Sequence, residues 1–226
     1  MNHKCFRIDF TLGKIQYPLF TRAKSIMLDH RINTIFHPIM NGLANHIPRQ
    51  ISANTITLAG FAIGVMVVPL LGLKLFSAAL AVILVNRFFD GIDGAVARKC
   101  GTTNLGGYLD ITCDFIFYSL VILGFALADP ENNGLAAAFL IFSFIGTGSS
   151  FLAFAAAAEK QGISADSHEL KSFYYLGGLT EGTETILFFV IICMFPAYFP
   201  ILAVVFGSLC WITVLGRFGS AFTLLR

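Results

Sequence analysis

Residues 75–128 read LFSAALAVILVNRFFDGIDGAVARKCGTTNLGGYLDITCDFIFYSLVILGFALA. Two apolar runs, each near the roughly 17–25 residues of a membrane helix, flank a centre that holds Asp90, Asp93, Asp110 and Asp114. Hydrocarbon makes a bare carboxylate costly, so acids inside apolar spans mark a functional site. Glu181 and Glu184 open a later apolar stretch in the same way.

Composition agrees with a membrane chain. Of 226 residues, 56% are hydrophobic and only 12% are Asp, Glu, Lys or Arg, against about 25% charged in a soluble domain. Mean hydropathy is +0.77. The pattern implies an all-α integral membrane protein, a six-transmembrane-helix bundle. The spans are expected near 54–72, 75–98, 105–128, 135–158, 178–197 and 199–221. Ser52 or Asn54 is placed to cap the first. Gly60 and Gly64 give it a small-xxx-small face for close packing.

Residues 1–49 are expected to be a cytosolic lead-in and amphipathic helix, with the membrane domain over 50–226. Within the lead-in, residues 32–47 carry Ile32, Ile35, Phe36, Ile39, Met40, Leu43 and Ile47 at helical spacing. That suits an amphipathic interfacial helix, with a soluble cap on the bundle as the rival and Pro38 as a kink. Residues 1–10 lack the apolar core of a cleavable signal. The five cysteines form no CxxC pair, which argues against a disulfide framework or a thiolate metal site. Cys113, inside the acidic segment, reads as a small packing residue.

Seven of the 15 Lys and Arg precede residue 50. With the N-terminus in the cytosol, that side also receives Arg98, Lys99, Lys160, Lys171 and Arg226. The opposite loops receive Lys74, Asp129 and Glu131. This is a positive-inside distribution, and it sets the four acids near the cytosolic face. The N-terminal cations suit anionic headgroups. Scattered positives with no recognition module exclude nucleic acid as a partner.

Asp90 and Asp93 are spaced i,i+3; Asp110 and Asp114 are spaced i,i+4. Each pair shares one helix face. A short connection makes the two helices antiparallel neighbours, so the pairs meet. Four carboxylates call for a compensating charge, and a divalent metal is the simplest. Oxygen-only ligation selects magnesium, manganese or calcium over zinc, with room for two ions about 4 Å apart. A proton or cation pathway is the rival. Gly91, Gly94, Ala97, Gly106 and Gly107 leave space for a bulky ligand. Arg98 suits a phosphate or serves as a membrane-edge anchor.

These positions carry a resemblance. The chain resembles CDP-alcohol phosphatidyltransferases, whose signature is D-x2-D-G-x2-A-R followed by G-x3-D-x3-D. Here it is Asp90, Asp93, Gly94, Ala97, Arg98, Gly106, Asp110 and Asp114. The spacer between Arg98 and Gly106 is seven residues, one fewer than usual. The stretch S52-A-N-T-I-T57 is similar to the segment before the family's first span. The resemblance implies a membrane bundle, as a homodimer, that moves a phosphatidyl group from a CDP-lipid such as CDP-diacylglycerol to a small alcohol and releases CMP. It implies magnesium or manganese, one or two ions, held by Asp90, Asp93, Asp110 and Asp114. The same resemblance implies that Asp114 binds metal or, more tellingly, accepts the proton of the acceptor hydroxyl as the catalytic base. It further implies that Gly94, Ala97 and Arg98 line the CDP site, joined by Asn54 and Thr57 unless these only start the helix. A bacterial chain of this kind belongs in the cytoplasmic (inner) membrane.

The chemistry fits independently. A metal offsets charge on the diphosphate and a carboxylate activates the alcohol. No phosphate-binding glycine loop is present, and none is needed for an activated donor. A CDP-choline or CDP-ethanolamine donor acting on diacylglycerol is the alternative within this chemistry. A cation- or proton-coupled transporter is the alternative outside it, and it predicts ligands at the midplane. Glycerol 3-phosphate, serine, inositol, inositol phosphate and choline are all open as acceptors; few cations favour an unphosphorylated one. Arg217 is expected to pair with Glu184 or Glu181, or to bind the acceptor. Lys171, Ser172, Tyr174 and Tyr175 read as interfacial anchors, with a place in the acceptor pocket as the alternative. His37, His46 and His168 read as surface or loop residues, and Trp211 as packing.

Overall fold

The structure, a computed structural model, describes residues 38–48, 50–160, 180 and 182–225. Most of the expected lead-in, the 161–179 loop, Glu181 and Arg226 lie outside them. So do His37, His168, Lys171, Ser172, Tyr174 and Tyr175. The described elements are helical: α1 (Ala53–Gly64), α2 (Val67–Gly72), α3 (Phe76–Cys100), α4 (Asn104–Ala128), α5 (Pro130–Lys160), α6 (Gly182–Met194) and α7 (Phe199–Leu224). A 3-10 turn at Pro196–Tyr198 leads into α7. Residues 38–44 are also helical.

Among the described residues, four stretches are long and apolar enough to cross a bilayer: Ala53–Gly72, Asn104–Ala128, Pro130–Lys160 and Pro196–Leu224. Gly182–Met194 is apolar but only 13 residues long. The 25-residue α3 carries Arg87, Asp90, Asp93, Arg98 and Lys99. Leu73, Leu135 and Phe222 are each more than two-thirds exposed, a surface that only lipid makes favourable. The chain is an all-α, multi-span integral membrane bundle.

Local chemistry sets the boundaries. Ser52 is the N-cap of α1, its hydroxyl accepting from the Thr55 N–H at 3.2 Å. The stretch 54–72, expected as one helix, breaks at Val65–Met66. Pro69 cannot donate to the Val65 carbonyl, and its ring crowds that carbonyl. The Val68 N–H takes it instead, at 3.2 Å. Helix α5 starts five residues before the expected 135. Asp129 caps it by accepting from the Asn132 N–H at 3.2 Å, and Pro130 occupies the first turn, where no N–H is needed. Asn132, through its side-chain amide and its backbone N–H, holds the Asp129 carboxyl below the usual carboxylate range.

Helix α4 is central. Phe117, Val121, Ile122 and Phe125 are fully buried, packed with Val67 and Leu71 of α2, Ile83 of α3, Leu140 of α5, Phe189 of α6 and Phe199 of α7. The Phe125 and Phe199 rings stack at 4.6 Å and 2°. Lipid is as apolar as these side chains, so close fit rather than escape from water favours the contact. The α1–α3 contact uses the expected glycines. A Cβ on Gly60 would lie 2.6 Å from the Phe89 Cβ, and one on Gly64 would lie 2.9 Å from Asn86 Nδ2. The Asn86 amide donates to the Gly60 carbonyl at 2.9 Å. Trp211 packs on the Phe142 ring at 4.8 Å, as its reading as a packing residue expects.

Candidate active site

Helix α3 carries Asp90 and Asp93 near its C-terminal end, and α4 carries Asp110 and Asp114 near its start. The turn between them is short. Gly101 takes φ 101°, a conformation that favours glycine. Thr103 caps α4 by accepting from the Gly106 N–H at 3.0 Å. The two acidic faces are thereby brought together. One carboxylate oxygen from each of Asp90, Asp110 and Asp114 lies within 4.8 Å of the others. That separation compares with two metal–oxygen bonds, together about 4–5 Å. The donors are all carboxylate oxygens, a hard set that fits a divalent cation such as magnesium or manganese. Asp90 and Asp114 are half-buried, and Asp110 is exposed.

Asp93 is placed differently. It is buried and turned to α1, where the Thr57 hydroxyl lies 2.5 Å from its Oδ2. Thr57 Oγ1 also lies 3.1 Å from the Ala53 carbonyl, one turn earlier. Asn54 reaches the same region, its Oδ1 3.1 Å from where a Gly106 Cβ would be. The start of α1 thus joins both halves of the motif. On the exposed side of α3, Arg98 folds back along Gly94; a Cβ there would meet its Nη1 at 3.3 Å. Ala97 lies half-buried beside them.

Three residues without a motif signature complete the site. Arg87 Nη2 donates to Asp114 Oδ1 at 2.6 Å, and its Nη1 lies 3.6 Å from Asp90 Oδ2. Asn86 Oδ1 accepts from Arg87 Nε at 3.0 Å and Nη2 at 2.6 Å. The Tyr118 hydroxyl lies 3.4 Å from Asp114 Oδ2. The one signal in the sequence is a cation inside an apolar run, three residues before Asp90. A buried charge of that kind demands a partner. The compensating charge for the carboxylates is therefore supplied in part by the protein itself.

Elsewhere, Arg217 is buried on α7 and donates to the Thr147 carbonyl of α5 at 2.9 Å. Its guanidinium lies 5.5 Å from the centre of the Phe151 ring. Glu184 sits half-buried in the first turn of α6.

Comparison with known proteins agrees with this geometry. The chain is 52% identical over 201 residues to the inner membrane protein YnjF of Escherichia coli K12, covering 88% of this chain and 98% of the relative. The family model for CDP-alcohol phosphatidyltransferase matches residues 50–218, which include every motif position above. The chain belongs to the CDP-alcohol phosphatidyltransferase family, membrane enzymes that transfer a phosphatidyl group from a CDP-linked lipid to an alcohol.

Proposed function

We propose that Asp90, Asp93 and Asp110 hold magnesium or manganese, as one or two ions, and that Asp114 takes the proton of the acceptor hydroxyl while remaining within reach of the metal. The observation that carries this is the convergence of Asp90, Asp110 and Asp114 oxygens within 4.8 Å at the end of two helices. When bound, the metal offsets charge on the donor diphosphate and on departing CMP. The acceptor oxygen bonds to the phosphatidyl phosphorus, the bond from that phosphorus to the CMP oxygen breaks, and the hydroxyl proton passes to Asp114. Gly94, Ala97 and Arg98 form the CDP side of the site, with Arg98 toward phosphate. Asn54 and Thr57 support that side. Thr57 does so by fixing Asp93.

The same reading extends to architecture. Six spans result if α3 crosses with its charged end at the cytosolic face and α6 is completed by neighbouring residues. The 1–49 lead-in and the 50–226 membrane domain divide there. Within the lead-in, Met40 and Ala44 are buried against Ile56, Ala95 and Val96, whereas Ile39 and Leu43 are exposed. That two-faced pattern supports a helix lying in the interface between bundle and lipid. The likeness to an inner membrane protein supports the cytoplasmic membrane of a bacterium. A homodimer and an unphosphorylated acceptor belong to the same reading.

The test is CMP release by purified protein given CDP-diacylglycerol, magnesium or manganese, and a panel of unlabelled alcohols. Release should depend on metal and on one alcohol, yield its phosphatidyl ester, and fall to a small residual rate in Asp114→Asn. If release appears only with CDP-choline or CDP-ethanolamine and diacylglycerol, the donor assignment is wrong.

Thr57→Val keeps shape but removes the hydroxyl next to Asp93. Losing a residue that orients a metal ligand typically costs 10–100-fold in metal affinity or activity. The variant should need about tenfold more magnesium for half-maximal rate. An unchanged magnesium curve would remove Asp93 from the ligand set.

A further inference from the structure

Arg87 spans both halves of the motif in a way that a charge-balancing residue would not require. Its guanidinium is gripped on every side. The Asn86 carbonyl accepts from two of its nitrogens, and that amide is itself anchored to the Gly60 carbonyl of α1. The Phe117 and Tyr118 rings lie 5.2 and 5.5 Å from Arg87 Cζ, so stacking adds to its hydrogen bonds. From this fixed position one nitrogen makes a 2.6 Å contact with Asp114 Oδ1. The contact with Asp90 is longer, at 3.6 Å. A planar, permanently charged fork held this rigidly fixes the geometry of the carboxylate it touches.

We infer that Arg87 is the positioning residue of the transfer reaction: it occupies Oδ1 of Asp114 with a 2.6 Å bond and turns Oδ2, which accepts only a long 3.4 Å bond from the Tyr118 hydroxyl, toward the acceptor hydroxyl. This rests on the proposed role of Asp114 as the base. It separates the acids by what protein they touch. Asp93 is tied to Thr57, and Asp114 is tied to Arg87. Asp110 and Asp90 remain the more available metal ligands. Because Arg87 acts through Asp114, its loss should slow the reacting step rather than weaken substrate or metal binding.

The experiment compares wild type, Arg87→Gln, Arg87→Lys, Asp114→Asn and the double variant Arg87→Gln with Asp114→Asn. Rates of CMP release are measured against CDP-diacylglycerol, and manganese binding is measured separately by calorimetry. Arg87→Gln should lower kcat roughly 10–100-fold, as expected when a group supporting the reacting centre is lost. KM for the CDP-lipid should stay within about threefold, and manganese binding should be unchanged or tighter. Arg87→Lys keeps the charge but lacks the fork, and should recover only part of kcat. The double variant should be no slower than Asp114→Asn, since residues acting as a unit are not additive.

A rise in KM with kcat intact would make Arg87 a phosphate ligand and overturn the inference. Collapse of manganese binding in folded Arg87→Gln would make it a scaffold of the acid cluster, which also overturns it. If Arg87→Gln does not fold, Arg87→Lys carries the same kcat, KM and manganese comparison. Failure of the underlying reading looks different: Asp114→Asn would then keep wild-type kcat.

Discussion

Asp90→Asn should lose about 10³-fold or more in metal-dependent CMP release while the protein stays folded. A metal ion supplies several kcal/mol of charge stabilisation in a transferring group, and about 4 kcal/mol corresponds to about 10³ in rate. Asparagine keeps the shape of Asp90 but offers a neutral oxygen in place of a charged one. The Asp90, Asp110 and Asp114 oxygens lie within 4.8 Å of one another, so a charge removed from one weakens ligation by all three. Stability should move the other way. Without bound metal, Asp90→Asn relieves charge repulsion with Asp110 and Asp114, at the cost of the long 3.6 Å ion-pair contact with Arg87. Its Tm without metal should equal or exceed that of wild type. Stabilisation by added manganese should shrink, since a ligand stabilises only the state it binds. A variant with wild-type metal activation would sink the assignment of Asp90.

Gly60→Ala should damage both folding and activity although it lies outside the motif. Its new Cβ would stand 2.6 Å from the Phe89 Cβ. Neither atom can rotate away, because each is fixed to its own backbone. Helices α1 and α3 must therefore separate, and overpacking of this kind costs roughly 1–3 kcal/mol. Separation also strains the 2.9 Å bond from Asn86 to the Gly60 carbonyl. Asn86 in turn holds Arg87. A shift of about an ångström at a reacting centre can cost about 10²-fold in rate. Gly134→Ala is the control, because a Cβ there meets nothing within 4 Å. It should be as active as wild type and at least as stable. Equal Tm and kcat for Gly60→Ala and wild type would show that the α1–α3 contact is looser than its distances imply.

The residues most legible in the sequence were those whose spacing alone placed them. Asp90 and Asp93, then Asp110 and Asp114, fall on single helix faces at any membrane depth. The short polar link between Arg98 and Gly106 leaves little choice but an antiparallel pair. A cap at Ser52 or Asn54, of which Ser52 takes the role, and Gly60 with Gly64 as a packing face were similarly local. Helix ends were less so. The break at Val65–Met66 follows from Pro69, whose effect falls one turn earlier than the proline itself. The start of α5 at Pro130 depends on a capping bond from the Asn132 N–H to Asp129, and an exposed polar stretch otherwise reads as loop.

Hydropathy and helical periodicity are properties of consecutive residues, so residue order alone marks a helical membrane protein that carries four acids on two adjacent apolar helices. How the four acids differ depends on contacts across the bundle. Asp93 answers to Thr57, 36 positions away, and Asp114 answers to Arg87, 27 positions away. Those pairings depend on how closely α1, α3 and α4 approach one another, and side-chain contact across helices is set by that approach rather than by order along the chain. Four identical residue types therefore become chemically distinct groups only once the bundle has formed.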